Sequence, residues 1–384
     1  MGKPNLSILT VTMGSGGAQK VISLLLKKLV LDYNVSLVLY HNQVHFEIPE
    51  EVEVIILGNN TSEQRNVFQK FTDFVVCCRR YRKLLKARDI QFSISFLASP
   101  NIISGIVSLF NKKCKMIISE RGFPTDNVTS KLSFYISKIA YPLFYNRCDS
   151  LFSNSVHINS DLKENFGVNI PMDVVYNPIE LPSNYRNPET FSKAKESFKL
   201  INVGSVDTRK NQDMILRAMA NLPHKNISFT LLGDGHLMEN LQERAKTLEL
   251  TDRVAFEGIV KNIGKYLSIH DCFVLSSFTE GFPNALLEGM SYGLPCISTN
   301  CKSGPLEMLN ENEPVTIAKG KFVEAKYGLL INNDDDIALS AAVQYLYENP
   351  KIQMHYSKMS LKRAEEYELG SIYSQFKTFI HSYK

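Results

Sequence analysis

The sequence predicts an α/β protein of two successive domains, each built on a parallel sheet. Three observations carry that prediction. Short apolar runs alternate with helical stretches along most of the chain. The alternation breaks once, after Asn177-Pro178, at a polar stretch that includes Pro178, Pro182 and Pro188. The length, 384 residues, exceeds what one domain needs and suits two.

The first half opens with the strand LSILTV, a glycine turn MGSGGAQ, the apolar-periodic helix KVISLLLKKLV and the strand NVSLVLY. That is a βαβ unit, which makes the two strands parallel. VEVIIL, QFSISFL, CKMIIS, CDSLFS and PMDVVY follow as strands, which gives a first domain over 1–177. Residues 178–197 read as a linker. The pattern then restarts with strand KLINVG, a charged turn and helix QDMILRAMANL. ISFTLLGDG, helix HLMENLQERAKTLEL, RVAFEG, CFVLSS and LPCISTN continue a second domain over 198–364. Residues 365–384 form a helix candidate with aromatics on one face, expected to pack back towards the first domain. Ligands of such sheets bind beyond the carboxyl ends of the strands, so the cleft between the domains is the expected site.

Composition narrows the class. A hydrophobic fraction of 44% and a charged fraction of 21% exclude disordered, collagen-like and coiled-coil chains. Seven Cys, with Cys77 and Cys78 adjacent and no CxxC, predict a reducing, cytosolic compartment. The start, MGKPNLSILTVT, lacks the pattern of a secretory leader, and no apolar run is long enough to span a membrane. Residues 1–190 carry 21 Lys and Arg against 16 Asp and Glu, whereas the remainder carries 22 against 23. That basic excess suits an anionic partner but is far too mild for nucleic acid. The oligomeric state is left open.

Two loops could carry chemistry. Gly14, Gly16 and Gly17 follow a strand and precede a helix, where glycines let backbone approach a ligand and free amides meet an anion. Gln19 stands where a dinucleotide fingerprint needs a third glycine, so a nicotinamide or flavin site is weakly supported, and a turn that merely fits the sheet is the alternative. The second loop is denser: Ser276-Ser277-Phe278-Thr279-Glu280-Gly281-Phe282-Pro283-Asn284-Ala285-Leu286-Leu287-Glu288. A strand ends near Ser277, Gly281 permits a tight turn, and Asn284 to Leu287 open a helix whose amides can hold a diphosphate. Neither Glu280 nor Glu288 helps helix–sheet packing, and a glutamate is costly to bury alone. The Asp334-Asp335-Asp336 run reads as helix capping and first-turn electrostatics, so no metal is expected.

The pattern E-G-F-P-N-x-x-x-E, followed by G-L-P and S-G-P-L-E, resembles the retaining glycosyltransferases of family 4, as do GSGGAQKV, VVYNPIE and NVGSVDTRKNQDMILRA. The wording of several motifs is similar to O-antigen, capsule and lipid-linked oligosaccharide enzymes of bacteria. The resemblance covers almost the whole chain. It implies the GT-B fold, two Rossmann-like domains facing a central cleft, and a nucleotide sugar, expected to be UDP-linked, as co-substrate without a metal. By the same resemblance Glu280 contacts donor-sugar hydroxyls and Glu288 the ribose. Backbone from Gly281 through Phe282, Pro283, Asn284, Ala285 and Leu286 holds the sugar-proximal phosphate, and Lys210 neutralises the diphosphate. Gly204 and Ser205 line the donor, with Ser205 standing where the family usually has Arg. Arg209 either supplies that charge or is a solvated helix-start residue. Gly16 and Gly17 let the first domain close over donor and acceptor. Glu120 and Arg121 stand near the family's first-domain histidine position, as acceptor or cleft residues or as a surface ion pair. The implied reaction is front-face transfer of a hexose or N-acetylhexosamine to a lipid-linked or surface glycan. The alternatives are a non-catalytic glycan- or lipid-binding relative and a nucleotide-sugar-processing enzyme such as an epimerase.

Two segments of the first half suit an anionic membrane surface. Residues 79–88 hold six basic side chains, and residues 130–147 interleave aromatic and apolar residues with Lys131, Lys138 and Arg147. Together with a prenyl-diphosphate-linked acceptor, they place the protein peripherally on the inner face of a bacterial plasma membrane. A solvated helix face for the first segment and core packing for the second are the alternatives.

Overall fold

The computed structural model describes residues 2–58, 66–126, 130–191 and 196–382. The chain divides into two compact units, Met1–Pro178 with Leu369–Lys384, and Ile179–Glu368.

The first unit runs β1 (Asn5–Thr10), α1 (Gly17–Asp32), β2 (Asn34–Leu39), β3 (Glu53–Ile56), α2 (Val67–Ala87), β4 (Phe92–Phe96) and α3 (Ala98–Ser108). It continues with β5 (Lys115–Glu120), α4 (Lys131–Tyr145), β6 (Ser150–Ser153), α5 (Val156–Phe166) and β7 (Met172–Val174). The strands lie in the order β3-β2-β1-β4-β5-β6-β7, all parallel. Helices cover both faces, so the central strands read as continuous buried runs rather than alternating ones. Their serines are not errors in that pattern. Tyr81 of α2 is fully buried, and its hydroxyl meets Ser7 Oγ of β1 at 2.8 Å and Ser93 Oγ of β4 at 2.6 Å.

The second unit runs β8 (Phe198–Val203), α6 (Gln212–Asn221), β9 (Ile227–Leu232), α7 (Met238–Thr247), β10 (Val254–Gly258), α8 (Ile263–Leu267), β11 (Cys272–Leu275) and α9 (Asn284–Ser291). Then come β12 (Cys296–Thr299), α10 (Pro305–Asn310), β13 (Phe322–Glu324), β14 (Leu329–Ile331), α11 (Asp336–Glu348) and α12 (Pro350–Glu365). The order is β10-β9-β8-β11-β12-β14-β13, and β13 pairs antiparallel at the edge. This short hairpin has no counterpart in the sequence reading, because three-residue strands leave too short a period to see.

The expected linker over 178–197 needs correction. Beyond Pro178 its described residues belong to the second unit. Arg186 pairs with Asp271 at 2.8 Å and lies 4.4 Å from the ring of Phe191, which is fully buried in a short 3-10 turn, Pro188–Phe191. Single anchors of this kind leave no periodic signal, so the segment reads as a polar linker. Residues 192–195 of it lie outside the described residues.

The last segment is a turn followed by α13 (Leu369–Ser382), which belongs to the first unit. Lys377 Nζ and Tyr373 OH each donate to the carboxylate of Asp32 at 2.6 Å, and Phe376 and Phe379 pack on Phe152.

Candidate functional site

In the second unit, β8 and β11 are adjacent, so the turns leaving their carboxyl ends emerge side by side. Backbone and hydroxyl groups stitch those turns together. Phe278 N–H donates to Arg209 O at 2.7 Å, and Ser276 Oγ donates to Lys210 O at 2.7 Å. The result brings Lys210 Nζ to 2.6 Å from Glu280 Oε1, and Ser277 Oγ donates to the same oxygen at 2.6 Å. The lysine and glutamate side chains are 20% and 10% exposed, so the pair is sheltered yet still open to the surface.

The segment 277–283 is fixed from the far side by the strand beyond. Thr299 Oγ1 donates to Ser277 O at 2.7 Å, and Ser303 Oγ donates to Gly281 O at 2.6 Å. Gly304 adopts φ +91°, and a side chain there would run into Pro283 and Gly281. These hydroxyls escaped the sequence reading, because a serine or threonine near a strand end carries no pattern. Pro283 precedes α9, and its side chain makes no cap hydrogen bond. The positive end of that helix opens two residues beyond Glu280-Gly281. Phe282 and Leu286 are buried, with the Phe282 ring 5.3 Å from that of Tyr367, so they anchor the loop and leave only backbone for a ligand. Asn284, Ala285 and Glu288 are half-buried on the same helix.

Arg209 stands apart from this pair. Its guanidinium turns back on Asp207 at 2.9 Å, Ser205 Oγ donates to the same carboxylate at 2.8 Å, and the arginine side chain is more than half exposed. Gly204 closes β8 by donating to Leu232 O at 3.0 Å.

In the first unit, Gly16 and Gly17 are exposed at the start of α1. Glu120 ends β5 and is buried, accepting from Tyr145 OH at 3.1 Å and Arg121 N–H at 3.3 Å. Burial pushes its carboxyl up to about 7 despite those bonds. The Arg121 guanidinium lies 5.6 and 5.5 Å from the rings of Phe96 and Phe152 and donates to Asn177 Oδ1 at 2.9 Å. Burial lowers it to about 9. The surface ion-pair alternative does not hold, since both side chains are buried.

The acidic run 334–336 does its work locally. Asp335 accepts the Ala338 N–H at 2.9 Å and caps α11, while Asp334 and Asp336 both pair with Arg217. Among the described residues, no group of three or more His, Cys, Asp or Glu is placed to hold a metal.

Two Rossmann-like units in succession, each built on a parallel sheet core, give the chain the GT-B fold. Residues 185–363 match the family model of the glycosyl transferases group 1. The chain is 27% identical over 365 residues to N-acetylgalactosamine-N,N'-diacetylbacillosaminyl-diphospho-undecaprenol 4-alpha-N-acetylgalactosaminyltransferase of Campylobacter jejuni, covering 94% of this chain and 95% of that one. A second Campylobacter jejuni enzyme is 26% identical, with 99% of each chain covered. Its name is GalNAc-alpha-(1->4)-GalNAc-alpha-(1->3)-diNAcBac-PP-undecaprenol alpha-1,4-N-acetyl-D-galactosaminyltransferase. The structure of Anabaena HepE in complex with UDP superposes with a TM-score of 0.75 at 14% identity, over 98% of this chain and all of that one.

Proposed function

We propose that the protein is a retaining glycosyltransferase that moves an N-acetylhexosamine or hexose from a UDP-sugar to a glycan carried on a prenyl diphosphate. The observation that carries this reading is the contact between Lys210 Nζ and Glu280 Oε1 at 2.6 Å, shortly before the start of α9. A cation and a helix N-terminus together suit a diphosphate leaving group, and a carboxylate beside them suits sugar hydroxyls. The two relatives' names support the acceptor class and make N-acetylgalactosamine the first sugar to try. The UDP-bound neighbour supports the base.

In this reading Lys210 and the amides from Phe282 to Leu286 take up charge on the diphosphate as the bond from the anomeric carbon to phosphate oxygen breaks. The acceptor hydroxyl attacks from the leaving-group side and passes its proton to the departing phosphate. Glu280 orients donor hydroxyls and Glu288 holds the ribose. Arg209 would have to leave Asp207 to join them. No metal is called on, since the lysine and amides supply the positive charge. The relatives' names specify α-linked products, and transfer from a donor α-linked to its diphosphate into an α product is retention.

Two measurements test this. Glu288→Ala should weaken UDP binding about tenfold or more in isothermal titration, since a hydrogen bond to a charged group contributes roughly 1.5–3 kcal/mol. The anomeric coupling of the product formed on a prenyl-diphosphate acceptor should show an α linkage. A β product would overturn retention, and no turnover with any UDP- or GDP-sugar would overturn the reaction.

A further inference from the structure

We propose that the outer face of α4 is a membrane-docking surface that seats in the headgroup region of an anionic bilayer. The proposal deepens the reading above, because a prenyl-linked acceptor must be met where its lipid lies.

α4 is apolar on two opposite sides. One side is core: Tyr141 and Tyr145 are buried and stacked, with Tyr141 also against Phe166. The helix sits close on α3, because Gly105 lies against the Phe144 backbone with no room for a side chain. The other side carries Leu132, Tyr135, Ile136, Ile139 and Leu143, spaced along one stripe at helical period and between 47% and 71% exposed. Ser130 caps the helix by accepting the Ser133 N–H at 3.1 Å, so the stripe sits on a regular element. A folded chain that covered this face with itself would have buried it.

Charge selects the occupant. Between 130 and 147 there is no Asp or Glu, while Lys131 and Lys138 lie together along one side of the stripe and Arg147 follows the helix. An apolar stripe with an aromatic ring and a cationic edge suits an anionic interface, where long basic side chains reach headgroups above inserted hydrocarbon. Residues 79–88, the other basic stretch, carry a different burden. Tyr81 and Leu85 are buried, Arg80 bonds to Leu57 O, and Arg88 pairs with Glu53. That helix spends part of its basic character inside its own unit. No helix among the described residues is long and apolar enough to cross a membrane, so the docking proposed is on the surface.

The test is flotation of the full chain with vesicles of phosphatidylglycerol and phosphatidylethanolamine, without donor or acceptor. Wild type should float. Ile136→Asp with Ile139→Asp should lose at least tenfold in vesicle binding while keeping its melting temperature and UDP affinity, because both side chains are exposed. Lys131→Glu with Lys138→Glu should lose about fivefold or more per cation, from about 1 kcal/mol each near an anionic surface. Failure of wild type to float, or equal flotation of the isoleucine variant, would overturn the proposal. So would a dimer in sedimentation that the isoleucine variant dissolves with flotation unchanged, since the face would then belong to a second copy. Turnover on a short-chain acceptor without vesicles tests the transferase reading separately.

Discussion

Each unit places an acid and a base at the carboxyl ends of its central strands, and the two pairs differ in almost every physical respect. Glu120 and Arg121 are neighbours on one strand end, so their side chains leave on opposite faces of the sheet. One meets Tyr145 and the other lies between Phe96 and Phe152. Lys210 and Glu280 come from turns on adjacent strands and reach each other across the gap. The first pair is buried and desolvated, while the second keeps a path to the surface. The same sheet position therefore yields buried, locked-in groups in one case and an available charge pair in the other. Which results depends on whether aromatic residues close over the strand end. A desolvated group resists rearrangement, whereas a sheltered pair that still reaches the surface can exchange partners when an anion arrives.

The strongest way to break this contrast is to remove one member of the open pair. Lys210→Ala or Glu280→Ala should lower kcat by about 10²–10³, the usual cost of losing one preorganised charge at a transition state. Stability should fall by less than the roughly 3–5 kcal/mol that breaking a fully buried pair costs, because this pair keeps a path to solvent. Initial rates of UDP release and a melting curve on the same sample decide it. A large stability loss with activity intact would put this pair in the same class as the one in the first unit.

Glu120 sharpens the contrast through pH. Its carboxyl titrates at about 7 in the folded chain against an ordinary value of 4.5, with burial as the main cause. The folded state therefore favours the proton, so the stability associated with Glu120 is complete below 4.5 and is lost as pH rises towards 7. Relative to Glu120→Gln, which cannot ionise, wild type should lose up to about 3 kcal/mol across that window. Urea unfolding of both proteins at intervals from pH 4.5 to 8 measures the difference. A gap that does not vary with pH would mean that the Glu120 carboxyl is not desolvated.

Much of this architecture is legible in the sequence. Alternating apolar runs announce the strands because parallel strands buried on both faces need them, and Glu280-Gly281-Phe282-Pro283 announces the loop because a turn, an anchor and a helix start demand those residue types. What was not legible has one physical character: it depends on single long-range partners. Ser303 and Thr299 hold the loop through carbonyls some twenty residues away in sequence. Arg186 turns an apparent linker into part of the second unit through Asp271, eighty-five residues on. The burial of Arg121 depends on Phe96 and Phe152 from neighbouring strands, so a local reading leaves a surface pair as plausible as a buried one.

The smallest expected effect concerns the helix that returns to the first unit. The carboxyl of Asp32 at the end of α1 is held below its usual range, first by the hydrogen bond from Lys377 and then by that from Tyr373. Its contribution is thus present above the ordinary carboxylate range and is lost as pH falls through the lowered value. The groups are substantially exposed, so Asp32→Asn should cost no more than about 1 kcal/mol. Apolar burial of Phe376 and Phe379 on Phe152 keeps α13 docked without that contact. Hydrogen exchange should therefore quicken severalfold in α13 while the rate-limiting opening of β1, β4 and β5 stays unchanged. If the sheet exchanged faster as well, the latch on Asp32 would be holding the first unit together, and the apolar face of α13 would not be the main bond between them.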